Sequence, residues 1–161
     1  MPQPLGPLVA LTAAGPPLTP LVASGRDVRA RAPRPEDDFA ALFVACAGDH
    51  EMRTYMRYGS FTDPQALQDW MHRAAAIHDP RWMVIESVAT GAPVGMAALI
   101  NHHPLHRRME LGHIWYARAA RRTTTNTEVV LLAADPAFGH YGVRRFEWKC
   151  AALNARSPDG G

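Results

Sequence analysis

The chain is poor in the residues that staple or metallate a small protein. Its two cysteines, Cys46 and Cys150, stand far apart and give neither a disulfide framework nor a metal-ligand spacing. They read as two reduced thiols in a cytoplasmic protein. Lysine is scarcer still: Lys149 is the only one, so nearly all the positive charge is arginine. With 17 Lys+Arg against 15 Asp+Glu the formal net charge is only +2. No basic run interleaves with aromatics, which argues against a nucleic-acid partner. No apolar stretch approaches the length of a membrane span, so no membrane partner is expected. Residues 1–25 carry leucines and alanines, but prolines interrupt them and no basic region precedes them. They read as a flexible N-terminal arm rather than a leader.

What remains is the composition of a globular chain. At 161 residues, 47% of them apolar and 20% charged, it suits one domain with a proper core, here residues 26–161. Residues 26–31 alternate and predict a strand. Arg34-Pro35-Glu36-Asp37-Asp38 opens a helix ending near Gly48, with proline early and acids in the first turn. Residues 62–65, Thr-Asp-Pro-Gln, start a second helix that runs to about Ile77, with Leu67, Trp70, Met71 and Ala74 as its stripe. Strands follow at 81–88 and 94–101, joined by the turn 89–92, and His102 opens a polar loop. A central strand spans 109–116, a helix 124–141 and a last strand 144–150. The order β-α-α-β-β-β-α-β predicts an α+β, three-layer protein, a mixed sheet flanked by helices. The helix between the last two strands makes them parallel neighbours. Pro136 falls inside that helix, where it removes a hydrogen bond and favours a kink.

The loop before the third helix carries the chemistry. Arg121 and Arg122 precede a helix start, and Thr123, Thr124, Thr125 and Thr127 add hydroxyls. A helix start exposes unpaired N–H groups and partial positive charge, which suits a phosphate. The same residues also fit an ordinary capped helix with solvated arginines, and Glu128 suits the first turn in either case. His102, His103 and His106 lack a nearby cysteine and do not match a ligand spacing, so no metal is expected. Trp115, Trp148, Phe146 and Phe138 read as core aromatics.

At ELGHIWY (110–116), RRTTTNTE (121–128) and GVRRFEWKCAALNARS (142–157), the chain resembles the GNAT superfamily of acetyl-CoA-dependent N-acetyltransferases. The likeness is to the branch of ribosomal-protein N-terminal acetyltransferases. It implies that the last two strands splay and admit the pantetheine of acetyl-CoA, whose amides bond the backbone at Ile114, Trp115 and Tyr116. It implies a seat for the pyrophosphate on the backbone from Arg121 through Arg122, Thr123, Thr124, Thr125 and Asn126 to Thr127. Thr124 and Asn126 stand where the family usually has Gly and Gly or Ala, and a side chain at Asn126 crowds a phosphate. The resemblance further implies that Asn154 helps hold the coenzyme and that Ser157 opens a following helix. Glu110 is the expected general base for a primary amine, either a protein N-terminus or a small molecule, that attacks the thioester directly. Its structural alternative is a sheet carboxylate paired with an arginine such as Arg108; His113 is a second candidate base. The resemblance also expects a further helix and two strands, whereas four residues follow Ser157. The competing expectation is an inactive remnant that pairs, as a homodimer, through the open edge of its last strand.

Overall fold

The computed structural model describes residues 6–7, 15–49, 52, 54–58 and 61–154. Its elements are β1 (Ala23–Ser24), β2 (Val28–Arg31), α1 (Pro35–Ala45), α2 (Pro64–Ala76), β3 (Arg81–Ser87), β4 (Pro93–His103), β5 (Arg108–Tyr116), α3 (Thr125–Gly139) and β6 (Arg145–Glu147). The six strands form one sheet in the order β1-β2-β3-β4-β5-β6. Pairing is antiparallel throughout except between β5 and β6, which are parallel. This is the expected mixed sheet flanked by helices, with one short strand added in front.

Period-two alternation sorts the core into two faces. Met83 and Ile85 of β3 point to one side, where they meet Val129, Ala133 and Ala137 of α3. Trp82 and Val84 point to the other, where they meet Leu42 of α1 and Leu67, Met71 and Ala74 of α2. Because β3 is covered on both faces, Trp82 through Glu86 is a continuous buried run. Asp63 caps α2 as expected, its carboxylate accepting the Ala66 N–H at 2.8 Å. In α1 the structure gives Asp38 a different task from dipole compensation. It is 2% exposed and takes both ends of the Arg31 guanidinium, at 2.8 and 2.7 Å, while Arg31 Nε reaches Glu86 at 2.7 Å.

Four details of the structure bear on these expectations. First, the described part of the supposed arm is docked. Leu18 is 7% exposed in the core, and Thr19 bonds the Tyr141 hydroxyl at 3.0 Å. β1 pairs with β2, and β2 begins only at Val28, because residues 25–27 form the turn between them, closed by the Gly25 N–H on the Val28 carbonyl. Second, α3 starts at Thr125, at the threonines expected to open it, and Thr124 makes no side-chain cap. The Thr123 hydroxyl accepts the Thr125 N–H instead, at 3.2 Å. Third, α3 contains Pro136 as expected and runs on to Gly139, its stripe Val129, Ala133, Ala137 burying residues on both sides of the proline. Fourth, the last strand is only three residues long, and Trp148, read as core, is 46% exposed. Ser157 lies outside the described residues.

Candidate active site between two parting strands

Strand β6 pairs with β5 at Arg108↔Arg145, Met109↔Phe146 and Glu110↔Glu147, and there the pairing stops. Among the described residues, 111–116 of β5 continue with a strand on one side only, β4. The departure has a local cause. Met96↔Trp115 and Ala98↔Gly112 set two residue steps of β4 against three of β5, so β5 carries a bulge. His113 sits in it with φ +53°. A bulge bends its strand and increases the local twist. The result is a wedge, closed at Glu110 and Glu147 and opening toward Tyr116 and the start of α3.

The closed end is polar. Glu110 is 6% exposed on the α1/α2 side of the sheet, opposite the face of Met109 and Leu111. Its Oε2 accepts from Asn101 Nδ2 at 2.9 Å and from the Lys149 ammonium. Lys149 also reaches Glu147 at 3.1 Å. Glu110, then Glu147, hold the Lys149 ammonium above the ordinary lysine range. Arg108, the partner expected for Glu110, lies 3.7 Å from Glu147 instead. Asn101 is fixed in turn: it has φ +52°, and the Asp79 carboxylate accepts the N–H groups of Asn101 and His102 at 3.0 Å each. His113 stacks on Trp82 with centroids 4.8 Å apart and lies 5.7 Å from Tyr58. Burial, helped by Arg57, pushes its imidazole below the usual histidine range and so keeps the ring neutral.

At the open end the two arginines part company. Arg121 folds inward: Nε donates to the Tyr116 carbonyl at 2.8 Å, and Nη2 lies 2.5 Å from Asp49 Oδ2 as an ion pair without hydrogen-bond alignment. Burial pushes the Asp49 carboxyl up, but Arg121, the Met52 N–H and Arg118 outweigh it and hold it below the carboxylate range. Arg122 is exposed, with φ +58°. Thr123, Thr124 and Thr127 are exposed and Thr125 is buried. The Thr124 hydroxyl donates to Asp27 at 2.6 Å, and Glu128 accepts the N–H groups of Asp27 and Val28 at 2.9 and 3.1 Å. Two carboxylates therefore already compensate the start of α3. Asn126 Oδ1 accepts from the Tyr116 hydroxyl at 3.1 Å, which ties the loop to the end of β5. Burial pushes that hydroxyl above the usual phenol range. Trp115 and Tyr116 are buried and Ile114 half-buried. Asn154 makes a local turn, its N–H donating to Ala151 at 2.9 Å, and the neighbouring Leu153 carbonyl accepts from Tyr55 at 2.9 Å.

The structure thus gathers Ile114, Trp115, Tyr116, Arg121 and Asn126 at the open end and sets Glu110 at the closed end. It shows no contact of Asn154 with either group among the described residues. Lys149, Asn101 and Asp49 escaped sequence reasoning. Only Lys149 left a trace there, as the single lysine two residues beyond a glutamate.

These features fit a thiol arm with a diphosphate head. Among the described residues the wedge leaves one edge of β5 without a strand partner, and the loop that follows β5 carries the exposed Arg122 and Thr123. The comparisons agree. A GCN5-related N-acetyltransferase from Brucella melitensis superposes with a TM-score of 0.87 at 23% identity, over 92% of this chain and 68% of that one. A GNAT-family protein from Chromobacterium violaceum gives 0.86 at 29%, over 98% and 79%. A Vibrio cholerae protein assigned as a ribosomal-protein-serine acetyltransferase gives 0.70 at 16%, over 89% and 80%. No protein of curated function matches. The family described as "Acetyltransferase (GNAT) domain" matches residues 27–158. By that match, which spans most of its length, the chain belongs to the GNAT acetyltransferase family.

Proposed function

We propose that the chain moves the acetyl group of acetyl-CoA directly to a primary amine, either a protein N-terminus or a small-molecule amine. The observation that carries this reading is the parting of β5 and β6 after three paired residues, with Glu110 at the vertex. Backbone groups of Ile114, Trp115 and Tyr116 would hold the pantetheine. The loop from Arg121 to Thr127 would hold the diphosphate, with Arg122 and the exposed threonine hydroxyls supplying donors. Arg121 would act from behind, by fixing the Tyr116 carbonyl. The coenzyme supplies the activated acyl group. Glu110 takes the proton of the attacking amine, and its buried carboxylate is oriented by hydrogen bonds from Lys149 and Asn101. A cytoplasmic setting suits acetyl-CoA and two free thiols.

Thermal-shift titration tests the reading. Acetyl-CoA at a hundred times its Kd adds about 2.7 kcal/mol to stability. A clear rise in Tm is expected, and an unmoved Tm at millimolar acetyl-CoA contradicts the proposal.

One observation favours a second reading. β6 ends the sheet, and Trp148 beside it is 46% exposed. Two copies pairing edge to edge would cover both. Light scattering tests this: a dimer supports edge pairing, and a monomer at high concentration rules it out.

A further inference from the structure

Lys149 stands where the wedge closes. The register ends at Glu110↔Glu147, and Lys149 lies two residues further, on the same side as Glu147 by alternation. Its ammonium turns back onto Glu110 Oε2 and touches Glu147 Oε2. An ammonium has three donors. Two carboxylates engage it here, and its side chain is still 59% exposed. A coenzyme that enters from the α3 end, with its thiol arm along β5, presents sulfur to this end of the wedge. We propose that the Lys149 ammonium is the counter-ion of the departing coenzyme A thiolate, a catalytic residue paired with Glu110. The proposal rests on the acetyl-CoA reading above.

In the step, the amine nitrogen forms a bond to the acetyl carbon and the carbon–sulfur bond breaks, its electron pair staying on sulfur. The proton of the amine goes to Glu110. The new negative charge on sulfur lies against the third donor of Lys149, and the thiolate takes its proton from solvent on leaving. A positive group already in place where charge develops needs no reorganisation, which is the strongest form of electrostatic catalysis. The group must stay charged to do this. Its two carboxylate partners ensure that, since they hold it protonated across the neutral range. His113, the other titratable ring nearby, is kept neutral by burial and cannot serve.

The test reads binding rather than turnover. Calorimetry of the full chain measures affinity for coenzyme A and for desulfo-coenzyme A, which lacks the thiol, from pH 6 to pH 9. Taking the ratio of the two cancels titration of Glu110, Glu147, His113 and the neighbouring Arg108 and Arg145. An ammonium beside the thiol lowers its pKa from about 8.5 by about one unit. The preference for coenzyme A over the desulfo form should then climb up to about tenfold as the pH rises. Lys149→Met and Lys149→Gln should abolish that climb and leave desulfo-coenzyme A binding intact; Lys149→Arg should keep most of it. A flat ratio in the parent chain, or a climb that survives in Lys149→Met, overturns the assignment while leaving the acetyl-CoA reading standing. Failure of the parent chain to bind either compound overturns the acetyl-CoA reading and this one with it.

Discussion

Asn101 and Lys149 donate to the same oxygen, Oε2 of Glu110, from opposite edges of β5, the last strand but one of the sheet. One comes from a bulge in β4 and the other from the chain just past β6. A buried carboxylate held this way has its orientation fixed from two neighbouring segments.

Glu110→Gln keeps the shape and removes the base. The expected outcome is a fall in kcat of about a hundredfold or more, with acetyl-CoA affinity unchanged by calorimetry. An unchanged kcat would return Glu110 to a purely structural role.

Gly95 faces the expected pantetheine segment from β4. A Cβ there would stand 2.3 Å from the Trp115 carbonyl and 3.0 Å from Tyr116 Cα, so the β5 backbone must move. Gly95→Ala should cost about 1–3 kcal/mol in urea unfolding. It should weaken acetyl-CoA binding by more than its loss of stability explains, because the displaced backbone belongs to the site. Full affinity in a destabilised variant would separate Trp115 and Tyr116 from coenzyme binding.

The buried triad Arg31, Asp38 and Glu86 pins β2, α1 and β3 together. Arg31→Met leaves two carboxylates buried with their main cation gone. A loss of about 3–5 kcal/mol is expected, read as a lower urea midpoint at pH 7.

Stability should fall in mild acid. Burial keeps His113 and His102 below the usual histidine range, so each binds a proton more readily when unfolded. Their contribution is full above the unfolded value of about 6.5 and is lost as the pH drops below it toward their folded values. His113→Asn tolerates the positive φ and removes one of the two groups. It should flatten the Tm profile between pH 5 and pH 7; an unaltered slope would assign the loss to other residues.

Most of the architecture was legible because burial is periodic. The continuous apolar run of β3 and the stripe Leu67, Met71, Ala74 of α2 mark their buried surfaces without tertiary information. What stayed hidden is contact between distant segments. Glu128 looked like a dipole residue, yet it accepts the Asp27 and Val28 N–H groups and holds the β1–β2 turn against α3. Arg121 looked like a phosphate ligand, yet it turns to Tyr116 and Asp49. In both cases local spacing named the right residue type at the right place, and a loop folded over from elsewhere chose the partner. The bulge at His113 left no pattern either, because a left-handed residue in the middle of a strand is set by the neighbouring strand's register. Without it the wedge could not be inferred from residues 144–150, whose alternation alone predicts a longer pairing.

The central claim is that acetyl-CoA lies in the wedge between β5 and the chain beyond β6. Hydrogen–deuterium exchange with and without acetyl-CoA tests it most directly. The account predicts slower exchange at Ile114 to Tyr116 and in the first turn of α3, at Thr125 to Thr127, with β1 and β2 unaffected. Protection confined to any other surface, or none at saturating coenzyme, would contradict it.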